Sequence, residues 1–148
     1  MLASLIAKPF SRPGWVYEEK YDGFRAIANR RGKDIHLCSR NLKDVSSDFP
    51  EIVEALAHLP GGDFALDGEL VAFDGEGVSR FQLLQQHEID NRIQPVFVVF
   101  DCLEINGEQI MAKPLSERRK AMRSVSMKMR HFHKIFSVLP HRSLAMVC

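Results

Sequence analysis

The feature that most constrains the fold is a run of five apolar residues, VFVVF at positions 96–100. Valine and phenylalanine favour an extended backbone, and an uninterrupted apolar run of this length is typical of a buried strand. Asn106-Gly107 follows a few residues later and is a strong signal for a tight turn. We therefore predict a buried strand over Pro95–Glu104 that ends in a turn.

Shorter segments with alternating polarity indicate a β-meander earlier in the chain. Turn signals at Asp22-Gly23 and at Arg31-Gly32-Lys33 separate these segments. A later strand is expected to be interrupted by the polar residues Asp67-Gly68-Glu69. The predicted strands are Trp15–Lys20, Phe24–Arg30, Asp34–Arg40 and Phe64–Phe73.

Helices are predicted in three places. The first has Ser47 or Asp48 as its cap and stops at Pro60-Gly61-Gly62, a second short helix spans Phe81–Gln86, and a third begins near Ser116, which caps it. Strands in meanders with helices on one side indicate an α+β fold rather than a doubly wound sheet. The first helix is predicted from apolar residues on one face, namely Ile52, Val53, Leu56 and Leu59.

The length of 148 residues favours one compact domain. No stretch approaches the roughly 20 apolar residues that are needed to cross a bilayer, and the N-terminal sequence lacks the basic region of a secretory signal. The three cysteines, Cys38, Cys102 and Cys148, are odd in number and far apart. They indicate reduced thiols in the cytoplasm rather than disulfides or a zinc site.

Charge divides the chain unevenly. The first 117 residues contain 12 Lys and Arg and all 19 Asp and Glu, whereas residues 118–148 contain eight Lys and Arg and no carboxylate. After residue 123 neither the helical nor the strand period is sustained. We therefore expect a domain over residues 1–120 and an atypical basic tail over residues 121–148, which an altered reading frame or a truncated gene would explain. Charge alone leaves nucleic-acid binding by this tail open.

The most informative segment is EEKYDGFR at positions 18–25. A lysine at the end of a strand, before a tight Asp-Gly turn, lies at the edge of a cleft, where its deprotonated amine can attack phosphorus. Arg25 lies beyond the turn and can donate to phosphate or ribose oxygens. A charged turn on the surface would have the same sequence, so Lys20 and Arg25 do not by themselves decide between the two interpretations.

Three further positions carry side chains that suit a nucleotide. Glu69 places a carboxylate in an apolar strand, where it can bind a ribose hydroxyl or help to hold a divalent cation. Only one of Phe97 and Phe100 is available to stack on a purine, because the period of two places them on opposite faces. Arg40 ends a predicted strand and can bind a phosphate. Each position also has an ordinary interpretation, as an edge-strand acid, a core aromatic and a surface arginine respectively.

In this order and spacing, the segments resemble the motifs of the covalent nucleotidyltransferases, which include ATP-dependent DNA ligases, RNA ligases and mRNA capping enzymes. The segment at 20–25 is similar to the Lys-x-Asp-Gly-x-Arg motif, SRN at 39–41 to the next motif, LDGELV at 66–71 to the Asp-Gly-Glu motif, and VFDCL at 99–103 to the aromatic motif. The sequence over residues 1–120 is most similar to bacterial and archaeal DNA ligases. The resemblance implies an antiparallel-sheet, ATP-grasp-like adenylation domain that is incomplete at its C-terminus.

By this resemblance, Lys20 attacks the α-phosphorus of ATP, and AMP then passes to the 5′-phosphate of nicked double-stranded DNA during repair or recombination. The resemblance also implies Mg2+, which would offset phosphate charge and for which Glu69 is the candidate ligand. The other implied roles are adenine binding by Glu18, ribose contacts by Arg25 and Glu69, contact of Arg40 with AMP or the nick phosphate, and stacking of Phe100 on adenine.

The family places two later motifs in the same domain, Glu-Gly-x-x-x-Lys and a lysine-rich strand, and an oligonucleotide-binding domain after it. None of these occurs before Cys148, so the activity of this chain by itself stays open. Two alternatives to a DNA ligase follow. One is a non-catalytic fragment that binds nucleotide or nucleic acid, and the other is an RNA ligase or a capping-type nucleotidyltransferase.

Overall fold

The computed structural model describes residues 10, 12–13, 15, 18–126 and 135–137. The chain divides into two units, one formed by Met1–Lys20 with Leu139–Cys148 and the other by Tyr21–Val138. All helices and strands of the described residues lie in the second unit. In the first unit, the rings of Phe10 and Trp15 meet edge to face with their centroids 4.7 Å apart.

The second unit is built around one sheet with the strand order β2-β1-β3-β4-β5, in which every neighbouring pair is antiparallel. A short strand, β6, pairs parallel with β4. The α+β class with an antiparallel sheet is therefore confirmed. The elements are β1 (Phe24–Arg31), β2 (Asp34–Ser39), α1 (Pro50–Ala57), β3 (Phe64–Val71), α2 (Phe81–Gln86), β4 (Val96–Ile105), β5 (Glu108–Gln109), α3 (Leu115–Ser126) and β6 (Ile135–Ser137).

The strand predicted over Trp15–Lys20 is wrong at Trp15 and at residues 18–20, the part of that segment that the structure describes, because these residues have no regular secondary structure. The first strand begins at Phe24, after the Asp22-Gly23 turn. Residues 18–20 are consecutive charged residues and are all exposed. They lack the alternating apolar side chains whose burial favours a strand.

One set of alternating strand residues joins the three helices in the main hydrophobic core, and we call this side of the sheet the core face. Helices α1, α2 and α3 contribute Leu56, Leu84 and Met122 to the cluster, so all three helices pack on the same side, as predicted. The core-face residues of the central strands are Ala26 and Ala28 in β1, Leu66 and Leu70 in β3, and Phe97 and Val99 in β4.

The opposite side of the same strands, the second face, carries a mixture of charged and apolar residues. Arg25 of β1 lies beside Glu69 of β3 in the antiparallel register, and Glu69 in turn lies beside Val98 of β4. A smaller cluster of Val71, Val96 and Val98 covers one end of this face, with Tyr21 and Phe73 packed against it. The charged residues therefore lie on a surface that is partly apolar.

Strand β3 runs without a break through Asp67-Gly68-Glu69, so the predicted interruption is wrong. Its pairing with β4 is irregular at two points, between Ala65 and Leu66 and between Asp67 and Gly68. At the second point Asp67 pairs with Asp101 and Gly68 with Val99, which leaves Phe100 as an extra residue. This arrangement is a β-bulge, which re-aims a side chain within a sheet. Gly68 is required beside it, because a Cβ atom there would lie 2.6 Å from the Val98 carbonyl oxygen.

Helix starts differ from the predicted caps. A 3-10 turn over Ser46–Asp48 precedes α1, which begins at Pro50, so neither Ser47 nor Asp48 caps it. Proline suits the first helical position because its fixed φ matches the helix and it has no N–H to satisfy. Helix α3 begins at Leu115, which places Ser116 inside the first turn rather than at the cap. None of the helices in the described residues is long and apolar enough to cross a membrane.

The expected boundary at residue 120 falls inside α3, which continues to Ser126. Met122, two residues beyond that boundary, is 2% exposed and belongs to the main core. The division into a domain and a basic tail stays a prediction, because most of residues 121–148 lie outside the described residues.

Two of the three cysteines can be placed, and both are free thiols, as expected. Cys102 is fully buried, and this burial raises the pKa of its thiol to about 11. A thiol with such a high pKa is nearly all protonated at neutral pH and is therefore unreactive. Cys148 lies outside the described residues.

Candidate active site

The Asp22-Gly23 turn lies against strand β3. A Cβ atom at Gly23 would lie 2.2 Å from the Leu70 carbonyl oxygen and 2.7 Å from a methyl carbon of Val71. Contacts this short do not occur between real atoms, so only glycine allows the chain to approach β3 so closely. The glycine of the Lys-x-Asp-Gly segment is therefore explained by packing against the strand that carries Glu69.

The two residues before Gly23 hold the turn in place. Tyr21 packs against the valine cluster of the second face and meets the Phe73 ring edge to face, with centroids 6.2 Å apart. The backbone N–H of Asp22 donates to Ser79 Oγ at 2.8 Å, and Asp22 Oδ2 accepts from the backbone N–H of Phe81 at 3.2 Å. Lys20 directly precedes this fixed turn in the chain, and its side chain is exposed.

Arg25 is the charged centre of the second face. Its guanidinium donates twice to Asp67, from Nε to Oδ1 at 3.0 Å and from Nη2 to Oδ2 at 2.6 Å. The guanidinium carbon also lies 5.4 Å from the centroid of the Phe100 ring, within the range of a cation–π contact. The hydrogen bonds to Asp67, and then the negative charges of Asp67, Glu69 and Asp101, raise the pKa of Arg25 above its ordinary value.

Asp67 is a site residue that the sequence analysis missed. Its side chain is only 6% exposed, whereas that of Arg25 is 32% exposed. A buried carboxylate needs a cation or several donors, because its desolvation is otherwise costly. That requirement was the available signal, since Asp67 lies in an otherwise apolar strand. The buried Asp67 carboxylate thus fixes the position of Arg25, whose side chain stays partly exposed to solvent.

Phe97 and Phe100 occupy different environments, as predicted. Phe97 is 0% exposed and belongs to the main core. Phe100, the extra residue of the bulge, is half-buried and lies against Arg25. Of the two aromatics, Phe100 is therefore the one that is available to a ligand.

Asp101, the residue after Phe100 in β4, belongs to a second arginine–carboxylate pair. Arg118 of α3 donates to both carboxylate oxygens of Asp101, each at 2.8 Å, and also to the Lys113 carbonyl oxygen at 2.7 Å. Arg118 is only 7% exposed. This arginine is the first of the eight cations of residues 118–148, and its burial means that it does not contribute to an exposed basic surface.

The structure brings together Arg25, Glu69 and Phe100, but not all of the predicted residues. Arg40 is exposed in the turn after β2, and β1 separates that strand from the β3 strand of Glu69. Glu18 is exposed in the first unit, as Lys20 is. Among the described residues there is no group of three His, Cys, Asp or Glu that could hold a metal ion.

Comparison with known proteins identifies the family. A family model described as "ATP dependent DNA ligase domain" matches residues 1–142. A DNA ligase from Methanoculleus marisnigri is 39% identical over 134 residues, which are 83% of this chain and 24% of that protein. DNA ligase C from Mycobacterium tuberculosis is 36% identical over 120 residues, which are 74% of this chain and 33% of that protein.

Two solved structures share the fold. The ligase domain of LigD from M. tuberculosis matches with a TM-score of 0.71 at 24% identity, over 84% of this chain and 40% of that one. A mycobacterial DNA ligase D complexed with ATP and MES matches with a TM-score of 0.66 at 28% identity, over 76% of this chain and 37% of that one.

The sheet of this chain therefore has the fold of the LigD ligase domain. The chain belongs to the family of ATP dependent DNA ligase domains, which confirms the family resemblance. It spans a quarter to a third of the lengths of the two related ligases.

Proposed function

We propose that this chain is the nucleotide-binding part of an ATP-dependent DNA ligase, with Lys20 as the residue that becomes attached to AMP. The observation that carries the proposal is the fixed turn after Lys20, in which Gly23 packs against β3 next to Glu69 and Asp22 is bonded to Ser79. A nucleophile benefits from a fixed approach, because correct positioning supplies a large part of the rate of a phosphoryl transfer.

In the proposed reaction the deprotonated amine of Lys20 forms a bond to the α-phosphorus of ATP. The bond from that phosphorus to the bridging oxygen breaks, its electron pair leaves with pyrophosphate, and the amine proton goes to solvent. AMP would then pass to the 5′-phosphate of a nicked duplex, and the 3′-hydroxyl would displace AMP to seal the strand. We extend to this chain the finer expectations of a nicked-duplex substrate, a role in repair or recombination, and location in the cytoplasm.

The second face supports the proposed adenosine site. We assign Phe100 to stacking on adenine, since its ring is half-buried and lies beside Arg25. Arg25 is oriented by Asp67 and is 32% exposed, and we assign it the ribose contact that the family resemblance implies. Glu69 lies beside Arg25 in the register and can accept from a second hydroxyl. Glu18 as an adenine contact and Arg40 as a phosphate contact rest on the family resemblance.

The carboxylates of the second face fit a magnesium ion that is held mainly by the nucleotide. Asp67 and Asp101 are each bonded to an arginine. The proposed protein ligand is Glu69, which lies between Arg25 of β1 and Val98 of β4 in the sheet. Magnesium commonly uses one or two carboxylates and takes its other ligands from phosphates and water. When bound, the ion would neutralise charge on the phosphates.

Intact-mass measurement after incubation of the 148-residue chain with ATP and Mg2+ tests the proposal. We expect a covalent AMP adduct on the wild-type chain, none on Lys20→Ala, and an unchanged adduct on Lys33→Ala, which removes an exposed lysine from the β1–β2 turn. An adduct that persists in Lys20→Ala would refute the assignment of the nucleophile.

Two other outcomes favour the alternatives. An adduct formed from GTP in preference to ATP would indicate capping-type chemistry. A wild-type chain that forms no adduct with either nucleotide would contradict the proposed reaction and support a non-catalytic fragment.

A further inference from the structure

We propose that Ser79 is a positioning residue for Lys20, an inference that rests on the proposed function. The Ser79 hydroxyl accepts the backbone N–H of Asp22 at 2.8 Å, across 57 residues of sequence. Asp22 lies two residues after Lys20 in the chain. The hydrogen bond therefore fixes the peptide group that joins Tyr21 to Asp22, one residue beyond the lysine.

A rigid hairpin over residues 72–80 supports Ser79. Backbone hydrogen bonds close it from Asp74 N–H to the Val78 carbonyl oxygen and from Arg80 N–H to the Ala72 carbonyl oxygen, each at 2.9 Å. Ser79 itself pairs with Phe73 in an isolated bridge. The hydroxyl that bonds to Asp22 therefore belongs to a hydrogen-bonded hairpin.

The Asp74 carboxylate braces the inside of this hairpin. It accepts from Val78 N–H at 2.9 Å, from Glu76 N–H at 3.0 Å and from Arg80 Nε at 3.0 Å. These hydrogen bonds lower the pKa of Asp74, and the bond from the Val78 N–H has the largest effect. The carboxylate therefore stays ionised at neutral pH and keeps the hairpin closed.

The contact between the turn and the hairpin is reciprocal. While Ser79 accepts from Asp22, the Asp22 carboxylate accepts from the Phe81 N–H at the start of α2. Gly23 then fixes the distance between the turn and β3. Ser79 and Asp22 form a clasp between the segment that follows the nucleophile and the loop that precedes α2.

The variant Ser79→Ala removes the hydroxyl and leaves the backbone of the hairpin intact. The bond lies at an exposed position, so water can replace it and the fold should survive. We expect the rate constant of AMP-adduct formation to fall roughly 10- to 100-fold, as for a small displacement of a reacting group. The half-saturating ATP concentration should stay within about twofold of wild type, because Ser79 does not contribute to the proposed adenosine site.

Two further variants separate positioning from general damage. Ser79→Thr retains the hydroxyl and should restore the rate to within about threefold of wild type. Ser47→Ala removes an exposed hydroxyl that bonds only to the neighbouring Asp48, and should leave the rate unchanged. Amide hydrogen exchange without ATP should show faster exchange at Asp22 in Ser79→Ala only.

A wild-type chain that forms the adduct while Ser79→Ala reacts at the same rate would overturn this inference and leave the proposed function standing. Absence of the adduct in the wild-type chain would instead refute the proposed function, and the positioning role with it. Equal exchange at Asp22 in both chains would show that the clasp does not form, and would also overturn the inference.

Discussion

On the core face, strands β1, β3 and β4 present Ala26, Leu70 and Phe97, all fully buried beneath the helices. On the second face the same three strands present Arg25, Asp67 and Phe100, where two charged groups and an aromatic ring contact one another. The first set derives its stability from apolar burial, which does not depend on direction. The second derives its geometry from directional hydrogen bonds. One sheet therefore carries a stabilising face and a face that places the groups proposed to bind the nucleotide.

The largest expected effect is on the free energy of unfolding, and it compares the two faces through two phenylalanines of strand β4. Phe97→Ala should lower the free energy of unfolding by about 3–5 kcal/mol, because it leaves a cavity in the core. Phe100→Ala should lower it by only about 1 kcal/mol, since the ring is half-buried. Urea denaturation of both variants measures the difference. Equal losses would contradict the assignment of the two rings to different faces.

Addition of nucleotide gives a second test of the role of Phe100. ATP should raise the thermal midpoint of the wild-type chain but have little effect on Phe100→Ala, because the variant lacks the ring proposed to stack on adenine. An equal rise in both proteins would exclude Phe100 from the site.

An intermediate effect is expected from Asp67→Asn, which breaks the pair on the second face. Loss of the charge-assisted bonds should cost about 1–3 kcal/mol of unfolding free energy, a range that allows for the exposure of Arg25. Asp63→Asn is the matched control, because its carboxylate accepts a single exposed bond from the Gly32 N–H.

The pH dependence of the Asp67→Asn effect follows from Arg25. The pKa of Arg25 is raised above its ordinary value, so its stabilising contribution is complete below that ordinary value and is lost only at higher pH. The stability difference between wild type and Asp67→Asn should therefore be constant between about pH 6 and pH 10, where Arg25 stays protonated. A difference that changes within this window would contradict the pairing.

The smallest effect is expected outside both faces, in the loop after β2. Asp44 accepts hydrogen bonds from the Ser46 N–H and from His36, and bonding by Ser46, followed by that of His36, lowers its pKa from 3.8 to about 2. A carboxylate with a lowered pKa stabilises the fold above its unfolded pKa and loses that contribution as the pH falls. A side-chain NMR titration should find the Asp44 midpoint near pH 2, and a midpoint near pH 4 would contradict these bonds.

Local sequence signals predicted the elements that depend on neighbouring residues. Helix α2 has the predicted bounds, Phe81–Gln86, and the predicted strands in the second unit lie within two residues of β1, β2, β3 and β4. Asn106-Gly107 forms the expected turn, with φ values of 51° and 80°. These features are set by side-chain period and backbone preference, which act over a few residues.

The arrangement of the site depends on long-range contacts that have no local signal. The bulge at Phe100 arises from the pairing of β4 with β3, and the Arg25–Asp67 bonds join residues 42 positions apart. The clasp of Ser79 on Asp22 is another example. In each case the residues that meet are far apart in the chain, and nothing in their own segments indicates the contact.

The sequence by itself determined the strand and helix periods, the α+β class and the motifs that resemble those of the ligase family, because these properties belong to residues or to short segments. Only the tertiary structure decided which phenylalanine is available, which carboxylate holds Arg25, and why Gly23 must lack a side chain. Those outcomes depend on register, burial and close packing between distant segments, and these are fixed only when the chain has folded.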